Sequence, residues 1–564
     1  MARRKKAQKE LVGSPVSISF LGGLNEIGKN MTLFDYEGDM FILDCGLAFP
    51  EPDMLGVDLV IPDFTYVKRN VENIHGIVIT HGHEDHIGGL AYLLKEINIP
   101  VYATSLTIGL IKGKLEEHGL LETAELHVIK PGDHIKFGAF DLEAIHVNHS
   151  IPDALAFAIR SPAGIIIHSG DMKIDTTPID GNMIDLARFA ELGKEGVLCY
   201  LADSTNAIKP GYSASEKTVG DSFERLFASA GKRRIIVATF ASNIHRVQQI
   251  INVAKSQKRK IALSGRSMEN VMAIGAELGY LKIPDGVLVP LDDIKNYPPE
   301  RQLIITTGSQ GEPMSALTRI AFGEHRKVSI TSNDYVIISA TPIPGNEKSV
   351  GKVVDELLKR GCEVIYERMY EVHVSGHANQ EELKMMLGLI RPKYFIPVHG
   401  EQKHLAKHKE LAEQMGIPSG NIIITENGRT VAVHESGIEV VGTVPAGKVF
   451  VDGYGVGDVG AVVMRDRTRL AQDGLVTIVV TMDQETGEIM AGPDIVSRGF
   501  VYVRESEELI QDAQEIAAWA IENCLDQNIR EWSTIKSRIR DEISRLIYER
   551  TKRSPMILPI IMEV

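Results

Sequence analysis

Residues 79–89 read ITHGHEDHIGG, and this run of histidines and carboxylates is the strongest pattern in the chain. The apolar run at 76–79 predicts a buried strand, and the glycines at 88–89, followed by leucines, predict a loop that enters a helix. Imidazole nitrogens and carboxylate oxygens are ligands that zinc prefers. The spacing therefore predicts a dinuclear metal site rather than a histidine-rich surface loop. A bend between strand and helix would aim two residues at each ion: His81 with His83, and Asp85 with His86.

The length and composition predict a large soluble protein. At 564 residues, with 44% hydrophobic and 24% charged residues, the chain predicts roughly three or four globular domains. The sequence contains no apolar run of the roughly eighteen residues that a membrane span needs. Its cysteines are Cys45, Cys199, Cys362 and Cys524. Their wide spacing favours reduced core residues in a cytoplasmic protein over disulfides or a thiolate zinc site.

The charge balance is acidic. The chain has 61 basic and 75 acidic residues, a formal net charge of −14, which differs from the basic footprint of a protein that binds phosphates over its whole surface. A nucleic-acid enzyme is compatible with this balance, because two divalent ions would add about four positive charges to the active site. The basic run at 3–6 predicts a solvated tail, with nucleic-acid contact as the alternative, since no apolar core of a signal peptide follows it.

Further polar candidates each follow a predicted strand. Within residues 16–203 they are Asp44, His149, Asp171 and Asp203. A site built by connecting loops along the edge of a sheet requires this placement. From 206 to 360, short apolar strands alternate with helices, which predicts a mostly parallel sheet in a separate inserted lobe. A strand at 393–398 then leads to His399, so the chain must return to the first domain if this histidine joins the metal cluster.

A glycine-rich stretch at 452–460 formally contains GxGxxG, the spacing of a dinucleotide-binding loop. Such a loop opens a helix, whereas AVVM at 461–464 predicts an extended segment, so we interpret 451–465 as a linker. The remaining residues predict a small α+β unit without a catalytic constellation, whose role is assembly or substrate guidance. Its predicted elements are strands at 475–482 and 555–562 and helices at 506–524 and 533–549.

The order of these motifs resembles the metallo-β-lactamase superfamily, in which HGHEDH is followed by the equivalents of His149 and Asp171. Three later motifs resemble the β-CASP subgroup of nucleic-acid-processing enzymes: ADSTN at 202–206, HVSGHA at 373–378 and PVHGE at 397–401. In the inserted lobe, SNIHR at 242–246 and TGSQGEP at 307–313 strengthen the match. Together with the length and the C-terminal unit, they extend the resemblance to the bacterial ribonuclease J family over essentially the whole chain.

The resemblance implies an α/β fold, a metallo-β-lactamase αββα sandwich with an inserted parallel-sheet β-CASP domain and a small α+β C-terminal domain. The implied domain boundaries are 1–205 and 361–450 for the sandwich, 206–360 for the β-CASP domain, 451–465 for the linker and 466–564 for the C-terminal domain.

The resemblance also implies two zinc ions per subunit, with Mn²⁺ or Mg²⁺ as alternative ions. Such a pair suits the in-line hydrolysis of a phosphodiester. Asp44 would either orient a ligand histidine by a hydrogen bond or cap a turn at the end of its strand. The seven implied ligands are His81, His83 and His149 for one ion, Asp85, His86 and His399 for the other, and Asp171 bridging both.

Asp203 and His377 are the implied proton-transfer pair. A histidine near the scissile phosphate donates to the departing 3′-oxygen, and a carboxylate beside it fixes its tautomer. Such help is typically worth roughly 10²–10⁴ in rate. The alternative for His377 is a structural histidine in a glycine turn.

The resemblance also implies that the HVSGHA motif at 373–378 binds the substrate. Backbone N–H groups there, ahead of a helix predicted near Gln380, suit a phosphate, and the resemblance implies that they receive the 5′-monophosphate of RNA. Ser242 and Asn243 begin another predicted helix facing the same cleft. Phe49 is a candidate for stacking on a base, with an ordinary core position as the alternative. The motif residues are His373, Val374, Ser375, Gly376, His377 and Ala378.

The implied function is a zinc-dependent 5′→3′ exoribonuclease that prefers 5′-monophosphate RNA, with additional endonuclease activity, in mRNA decay and rRNA maturation. The implied partners are single-stranded RNA, further copies of the chain in a homodimer or homotetramer, and other RNA-decay proteins or the ribosome. Three alternatives stay open: a DNA-processing β-CASP nuclease, a small-molecule hydrolase of the superfamily, and a non-catalytic RNA-binding subunit. The inserted lobe argues against the second, and the complete set of ligands argues against the third.

Overall fold

The computed structural model describes residues 13–312, 314–342, 346–366, 371–483, 486–501 and 506–564. The basic run at 3–6 and the last residue of TGSQGEP lie outside these ranges. The chain forms two compact units. The first comprises the chain up to Phe49 together with Val60–Val449, and the second comprises Pro50–Leu59 together with Phe450–Val564. The domain boundaries given above stay predictions.

The first unit begins with strands that are frequently interrupted by short helices. Their bounds up to residue 203 are β1 (Val16–Gly22), β2 (Met31–Tyr36), β3 (Asp39–Leu43), β4 (Leu59–Pro62), α1 (Thr65–Arg69), β5 (Ile74–Val78), α2 (Glu84–Ile87), α3 (Leu90–Glu96), β6 (Val101–Ala103), α4 (Ser105–Glu117), β7 (Leu126–Val128), β8 (His134–Phe137), β9 (Phe140–His146), β10 (Leu155–Ser161), β11 (Gly164–His168), α5 (Leu186–Glu195) and β12 (Val197–Asp203).

The inserted lobe contains a five-stranded sheet. Its elements are α6 (Lys217–Ala230), β13 (Arg234–Ala238), α7 (Ile244–Ser256), β14 (Lys260–Ser264), α8 (Arg266–Glu277), β15 (Gln302–Thr306), α9 (Ala316–Phe322), β16 (Asp334–Ile338), α10 (Glu347–Lys359) and β17 (Glu363–Ile365). The strand order is β14-β15-β13-β16-β17, and every pairing is parallel. Helices cover both faces, with Phe223 of α6 and Ile250 of α7 in one core and Leu317 of α9 in the other. Strands buried on both faces are near-continuous apolar runs, which is why the sequence predicted this parallel sheet correctly.

The chain then returns to the first domain through α11 (Gln380–Ile390), β18 (Tyr394–Val398), α12 (Gln402–Gln414), β19 (Arg429–His434) and β20 (Gly437–Thr443). These strands complete two sheets, with orders β20-β19-β1-β2-β3-β5-β6-β7 and β18-β12-β11-β10-β9-β8. One core joins them, in which Phe41 of the first sheet packs edge-on against Phe140 of the second with ring centroids 5.1 Å apart. The predicted sandwich, interrupted by a parallel-sheet lobe, is confirmed.

The second unit ends in a small three-stranded sheet, ordered β24-β23-β25, and a pair of helices that pack on one of its faces. The elements of this region are β21 (Lys448–Asp452), β22 (Gly455–Val456), α13 (Ala461–Asp473), β23 (Leu475–Met482), β24 (Ile489–Arg498), α14 (Glu507–Asp526), α15 (Trp532–Thr551) and β25 (Met556–Glu563). The α+β prediction is confirmed here, and each predicted strand and helix is present to within a few residues.

One local prediction was wrong. Residues 461–464 are not extended but form the first turn of α13, which ends at Asp473 and is capped by Gly474 with φ 80°. The helix-forming residues that follow, including Arg465, Arg469 and Leu470, outweigh the two valines. The glycine-rich stretch before the helix forms an antiparallel pairing of β21 with β22, not the parallel βαβ unit of a dinucleotide site.

The cysteines lie in the core, as predicted. All four cysteines are buried and free. Within the described ranges, every helix is too short or too polar to cross a bilayer.

Candidate active site

Strand register brings distant polar residues to one edge of the sandwich. The parallel strands β3 and β5 end side by side, so Asp44 lies next to the start of the HGHEDH run. The parallel strands β12 and β18 place Asp203 opposite Val398, so His399 is the next residue beyond that pair. Side chains from four separate strand ends therefore meet in one place.

Three histidines form the first group of candidate metal ligands, His81, His83 and His149. His83 Nδ1 lies 3.0 Å from His81 Nε2 and 3.1 Å from His149 Nε2. Burial lowers the pKa of His83 to about 4 and holds the pKa values of the other two well below the ordinary range. The three rings are therefore neutral near pH 7, the form in which imidazole binds a metal.

Asp85, His86 and His399 form the second group, again with their ligand atoms converging. Asp85 Oδ2 lies 3.2 Å from His399 Nε2 and 3.5 Å from His86 Nε2. Burial alone would lower the pKa of both histidines, but nearby carboxylates outweigh it and raise both pKa values well above the ordinary range. The group thus concentrates negative charge that a divalent cation would neutralise.

Asp171 faces both groups through one oxygen. Its Oδ2 lies 3.3 Å from His86 Nε2 and 3.6 Å from His399 Nε2. The same oxygen lies 3.8 Å from the Nε2 atoms of His81 and His149. It is buried and makes no hydrogen bond within the part of the chain that the structure describes. A buried carboxylate oxygen without a hydrogen bond is costly unless a cation satisfies it, so the donor set fits two metal ions with Asp171 shared between them.

Asp44 lies behind the ligand histidines. Its Oδ2 accepts a hydrogen bond from His86 Nδ1 at 2.7 Å, and its Oδ1 accepts one from the backbone N–H of Thr80 at 2.8 Å. The Thr80 hydroxyl lies 2.9 Å from Asp44 Oδ2 and 3.0 Å from His81 Nδ1. Both imidazoles are thereby held at Nδ1 with Nε2 directed at the metal groups. Of the two interpretations of Asp44, the bond to His86 supports the orienting one.

Asp203 and His377 form a hydrogen-bonded pair next to these groups. His377 Nδ1 donates to Asp203 Oδ2 at 2.7 Å and lies 3.9 Å from Asp171 Oδ2. Burial would lower the pKa of His377, but Asp203 outweighs it and raises that pKa. The His377 side chain is 19% exposed, whereas that of Asp203 is 1% exposed. The histidine therefore carries a proton at an accessible position beside the metal groups.

The glycine of the HVSGHA motif allows a close approach to a candidate ligand. His149 Nδ1 donates to the Gly376 carbonyl at 2.7 Å. A Cβ at Gly376 would lie 2.7 Å from the His149 ring and 2.8 Å from the Ser150 nitrogen. Only glycine fits there without displacing the ring.

Of the other residues of the HVSGHA motif, some are buried in the core and some are partly exposed. Val374 and Ala378 are buried in hydrophobic cores, so only their backbone can contact a ligand. Ser375 Oγ accepts a hydrogen bond from Asn206 Nδ2 at 2.8 Å. The predicted helix follows at Gln380 as α11, with the backbone N–H of Asn379 donating to a glutamate side chain one turn later.

His373 is held by a buried arginine. Arg246 Nη1 donates to His373 Nδ1 at 2.9 Å, and its other nitrogens pair with both oxygens of Glu216 at 2.8 and 2.9 Å. Burial, then the charge of Arg246, hold the pKa of His373 well below the ordinary range. The imidazole is therefore neutral and carries its proton on Nε2. Arg246 lies in the first turn of α7, whose N-cap is Asn243.

Of the three remaining substrate-binding candidates, Ser242 and Asn243 lie together at the start of α7, and Phe49 lies elsewhere in the chain. Asn243 is buried, and its side chain accepts a hydrogen bond from the Arg246 backbone N–H at 3.0 Å. Asn243 and His149 line one cavity, which connects the start of α7 with the first metal group. Ser242 precedes the cap and is half-buried. Phe49 is 65% exposed, so its ring is not a core residue.

Sequence reasoning missed several residues that hold the site together. Thr80 and Thr205 bridge carboxylates to histidines, and Arg246 orients His373. All three lie inside quoted stretches: Thr80 in ITHGHEDHIGG, Thr205 in ADSTN and Arg246 in SNIHR. Their contacts depend on tertiary packing, so membership of a motif was the only available signal.

Four family models match consecutive stretches of the chain. The metallo-beta-lactamase superfamily matches residues 24–194, and the ribonuclease J beta-CASP domain matches 232–357. The Zn-dependent metallo-hydrolase RNA specificity domain matches 363–423, and the ribonuclease J C-terminal domain matches 462–564.

Individual proteins are similar over nearly their whole length. Ribonuclease J 1 of Streptococcus pyogenes serotype M3 is 45% identical over 547 residues, covering 97% of this chain and 97% of that protein. Ribonuclease J of Thermus thermophilus is 45% identical over 563 residues, covering 97% and 95%. Ribonuclease J2 of Bacillus subtilis is 42% identical over 550 residues, covering 97% and 99%.

A solved structure shares the fold. A protein of unknown function from Enterococcus faecalis V583 has a TM-score of 0.53 and 17% identity, covering 74% of this chain and 100% of that chain. At this identity the likeness supports the fold alone.

Proposed function

Because the chain belongs to the ribonuclease J family, we propose that it is a metal-dependent ribonuclease that degrades 5′-monophosphorylated RNA from its 5′ end and also cleaves internally. The observation that carries this proposal is the convergence of seven histidine and aspartate ligands beside the Asp203–His377 pair. Its relatives are named ribonucleases, which supports RNA as the substrate class. The place in mRNA decay and rRNA maturation that the family resemblance implies is part of the proposal.

We propose Zn²⁺ as the resident ion at both groups. His81, His83 and His149 would hold one ion, Asp85, His86 and His399 would hold the other, and Asp171 Oδ2 would contact both. When bound, two such ions polarise the scissile phosphate and lower the pKa of the attacking water. The neutral state of the first three imidazoles supports this assignment, since a protonated imidazole cannot bind a metal.

His377 is the proposed general acid. Its Nδ1–H is held by Asp203, which leaves Nε2 to give a proton to the departing 3′-oxygen. The raised pKa of His377 keeps that proton in place near neutral pH until the leaving group takes it. Asp203 keeps its charge, because the adjacent His377 outweighs burial and lowers the pKa of the carboxyl group.

The HVSGHA motif is the proposed 5′-phosphate site. Ser375 Oγ accepts hydrogen bonds from Asn206 Nδ2 and from the His377 backbone N–H, so the Ser375 hydroxyl can donate its own proton to a phosphate oxygen. The backbone N–H groups of residues 378–380 already donate within the protein, so the proposed donors are side chains. His373 adds an Nε2–H donor, because Arg246 occupies its Nδ1. Neutral donors of this kind can bind a phosphate oxygen. A phosphate held at a fixed distance from the metals would set one-nucleotide steps.

We propose that the chain also self-associates through its second unit. Leu558, Ile560 and Met562 alternate along β25 and are 47%, 39% and 47% exposed, which gives the sheet an apolar outer face. A homodimer or homotetramer would cover it. Sedimentation analysis of the wild type and of Ile560→Glu tests this, and an unchanged assembly state in the variant contradicts it.

The substrate proposal is tested by comparing matched strands that differ in one feature. Cleavage rates are measured on RNA with a 5′-monophosphate, a 5′-triphosphate or a 5′-hydroxyl, and on DNA with a 5′-monophosphate. We expect the monophosphorylated RNA to be degraded fastest. Equal rates on the three RNA ends would contradict the proposed 5′-phosphate site. Faster degradation of DNA than of RNA would indicate a DNA-processing nuclease instead of a ribonuclease.

A further inference from the structure

The hydroxyl of Thr205 lies between the proposed general-acid pair and a proposed metal ligand. Its Oγ1 is 2.6 Å from His399 Nδ1 and 2.7 Å from Asp203 Oδ1. The backbone N–H of Thr205 donates to the same Asp203 oxygen at 2.9 Å. The only other acceptor recorded for the hydroxyl among the described residues is the His399 carbonyl, at a longer distance of 3.2 Å. Thr205 is therefore fixed by a tight turn in a position where it contacts both side chains.

The direction of these hydrogen bonds follows from the chemistry of the groups. His399 Nε2 is the nitrogen that converges with Asp85 and Asp171, so a metal ligand role requires Nε2 to be unprotonated. The proton must then sit on Nδ1 and be donated to Thr205 Oγ1. The hydroxyl has one proton of its own, which it gives to the Asp203 carboxylate, the nearer and charged acceptor.

Asp203 consequently serves two histidines through its two oxygens. Oδ2 accepts directly from His377 Nδ1 at 2.7 Å, and Oδ1 accepts from Thr205, which in turn accepts from His399. Direct contact between His399 Nδ1 and Asp203 Oδ1 is 3.5 Å, too long for a good hydrogen bond. Without the hydroxyl, His399 loses its connection to the carboxylate.

The same arrangement occurs on the opposite side of the site. Asp44 accepts directly from His86 Nδ1, and Thr80 Oγ1 lies between Asp44 and His81 Nδ1. The site therefore contains two Asp–Thr clamps, defined here as Asp44 with Thr80 and Asp203 with Thr205. In each clamp one histidine is bound by the carboxylate and a second through the threonine hydroxyl. This repetition supports a common purpose, which is to fix the tautomers of ligand histidines.

We propose that Thr205 is a positioning residue that holds His399 in its metal-binding tautomer and links that ligand to the Asp203–His377 pair. The inference rests on the proposed metal-dependent function. The Thr205 hydroxyl would therefore affect metal affinity from a distance. It contacts His399 at Nδ1, not at the candidate ligand atom Nε2, and it does not contact His377. Removal of such outer partners of a metal ligand typically costs about 10–100-fold in metal affinity.

The test measures Zn²⁺ binding, not only activity. Thr205→Val keeps the shape of the side chain and removes the hydroxyl, whereas Thr205→Ser keeps the hydroxyl. Thr177→Val is the matched control, because Thr177 also follows an aspartate by two residues and donates its N–H to Asp175 Oδ1 at 3.0 Å, while its hydroxyl bonds to Ser215. Each full-length protein is stripped with a chelator and titrated with Zn²⁺ in competition with a chromophoric chelator.

We expect Thr205→Val to bind Zn²⁺ about 10–100-fold more weakly, with Thr205→Ser and Thr177→Val close to the wild type. Unchanged Zn²⁺ binding by Thr205→Val overturns the inference. So does equal weakening in Thr205→Ser, since the hydroxyl is then not the cause. RNA cleavage by the wild type is scored separately. If the protein cleaves no RNA but its Zn²⁺ binding depends on Thr205, the proposed function is contradicted and the positioning role of Thr205 stands.

Discussion

His377 Nδ1 lies 2.7 Å from Asp203 Oδ2, although the two residues are 174 positions apart in sequence. The pair joins the end of β12 to the HVSGHA motif that follows the inserted lobe. It lies beside Asp171, the residue that faces both metal groups. The proposed metal binding and the proposed proton transfer depend on different side chains, so substitutions can test them separately.

Replacing His377 by alanine is expected to lower the single-turnover cleavage rate by roughly 10²–10⁴ while leaving the Zn²⁺ content unchanged. The substitution removes the proposed general acid, whereas the seven proposed ligands remain. The measurements are single-turnover RNA cleavage and metal analysis. His127→Ala is the control, because that histidine is a partly exposed residue of β7 paired with Glu125. A His377→Ala variant that cleaves at the wild-type rate removes the general-acid role.

Asp171→Asn is expected to abolish the stabilisation of the protein by Zn²⁺. Asp171 Oδ2 faces both ligand groups, and an amide in its place offers no negative charge to either ion. Metal at a hundred times its Kd stabilises a folded protein by about 2.7 kcal/mol. Thermal unfolding with and without added Zn²⁺ measures the effect, with Asp141→Asn on the surface as the control. An equal Zn²⁺-induced rise in Tm for the wild type and Asp171→Asn contradicts the bridging role.

Gly376→Ala is expected to impair both stability and activity. The added methyl group would meet the His149 ring at 2.7 Å, so either the ring or the loop must move, at a cost of about 1–3 kcal/mol. Gly388→Ala in α11 is the matched control, because its Cβ would meet only the end of Met415 at 3.4 Å. Chemical unfolding and RNA cleavage are measured for both variants. If Gly376→Ala matches the control in both assays, the close approach does not constrain the site.

Arg246→Met is expected to lower the free energy of unfolding by about 3–5 kcal/mol, because it leaves the Glu216 carboxylate buried without its partner. It should also weaken the preference for a 5′-monophosphate, since His373 loses the donor that fixes its tautomer. Lys407→Gln is the control, as its pairing with Glu410 lies on the surface of α12 and is worth about 0.3–0.5 kcal/mol. Equal unfolding free energies for the two variants would show that the buried network is not a stabilising element.

Local patterns in the sequence predicted the strand ends well. The HGHEDH motif after an apolar run predicted that the candidate ligands among residues 81–86 follow the end of a strand. The apolar strands of the inserted lobe predicted its parallel sheet. These predictions succeeded because a strand buried on both faces, or a turn that directs several side chains at one point, needs particular residues within a short stretch.

Contacts between distant segments could not be predicted in this way. Thr205 and His399 are 194 positions apart and meet only because β12 pairs with β18 in one register. Arg246 and His373 are 127 positions apart and meet only once the inserted lobe has folded. The helix at Ala461 was missed for a different reason, since two valines suggested a strand while the residues after them favoured a helix.

The most direct test of the central claim follows the 5′ end of one substrate. A single-stranded RNA with a 5′-³²P-monophosphate is incubated with the full-length protein, with a chelator, and with the chelator followed by excess Zn²⁺, and the labelled products are resolved by length. We predict that the label is released as mononucleotide, that the chelator stops its release, and that Zn²⁺ restores it. Label that stays in longer fragments, or release that continues unchanged in the chelator, would contradict a metal-dependent 5′→3′ ribonuclease.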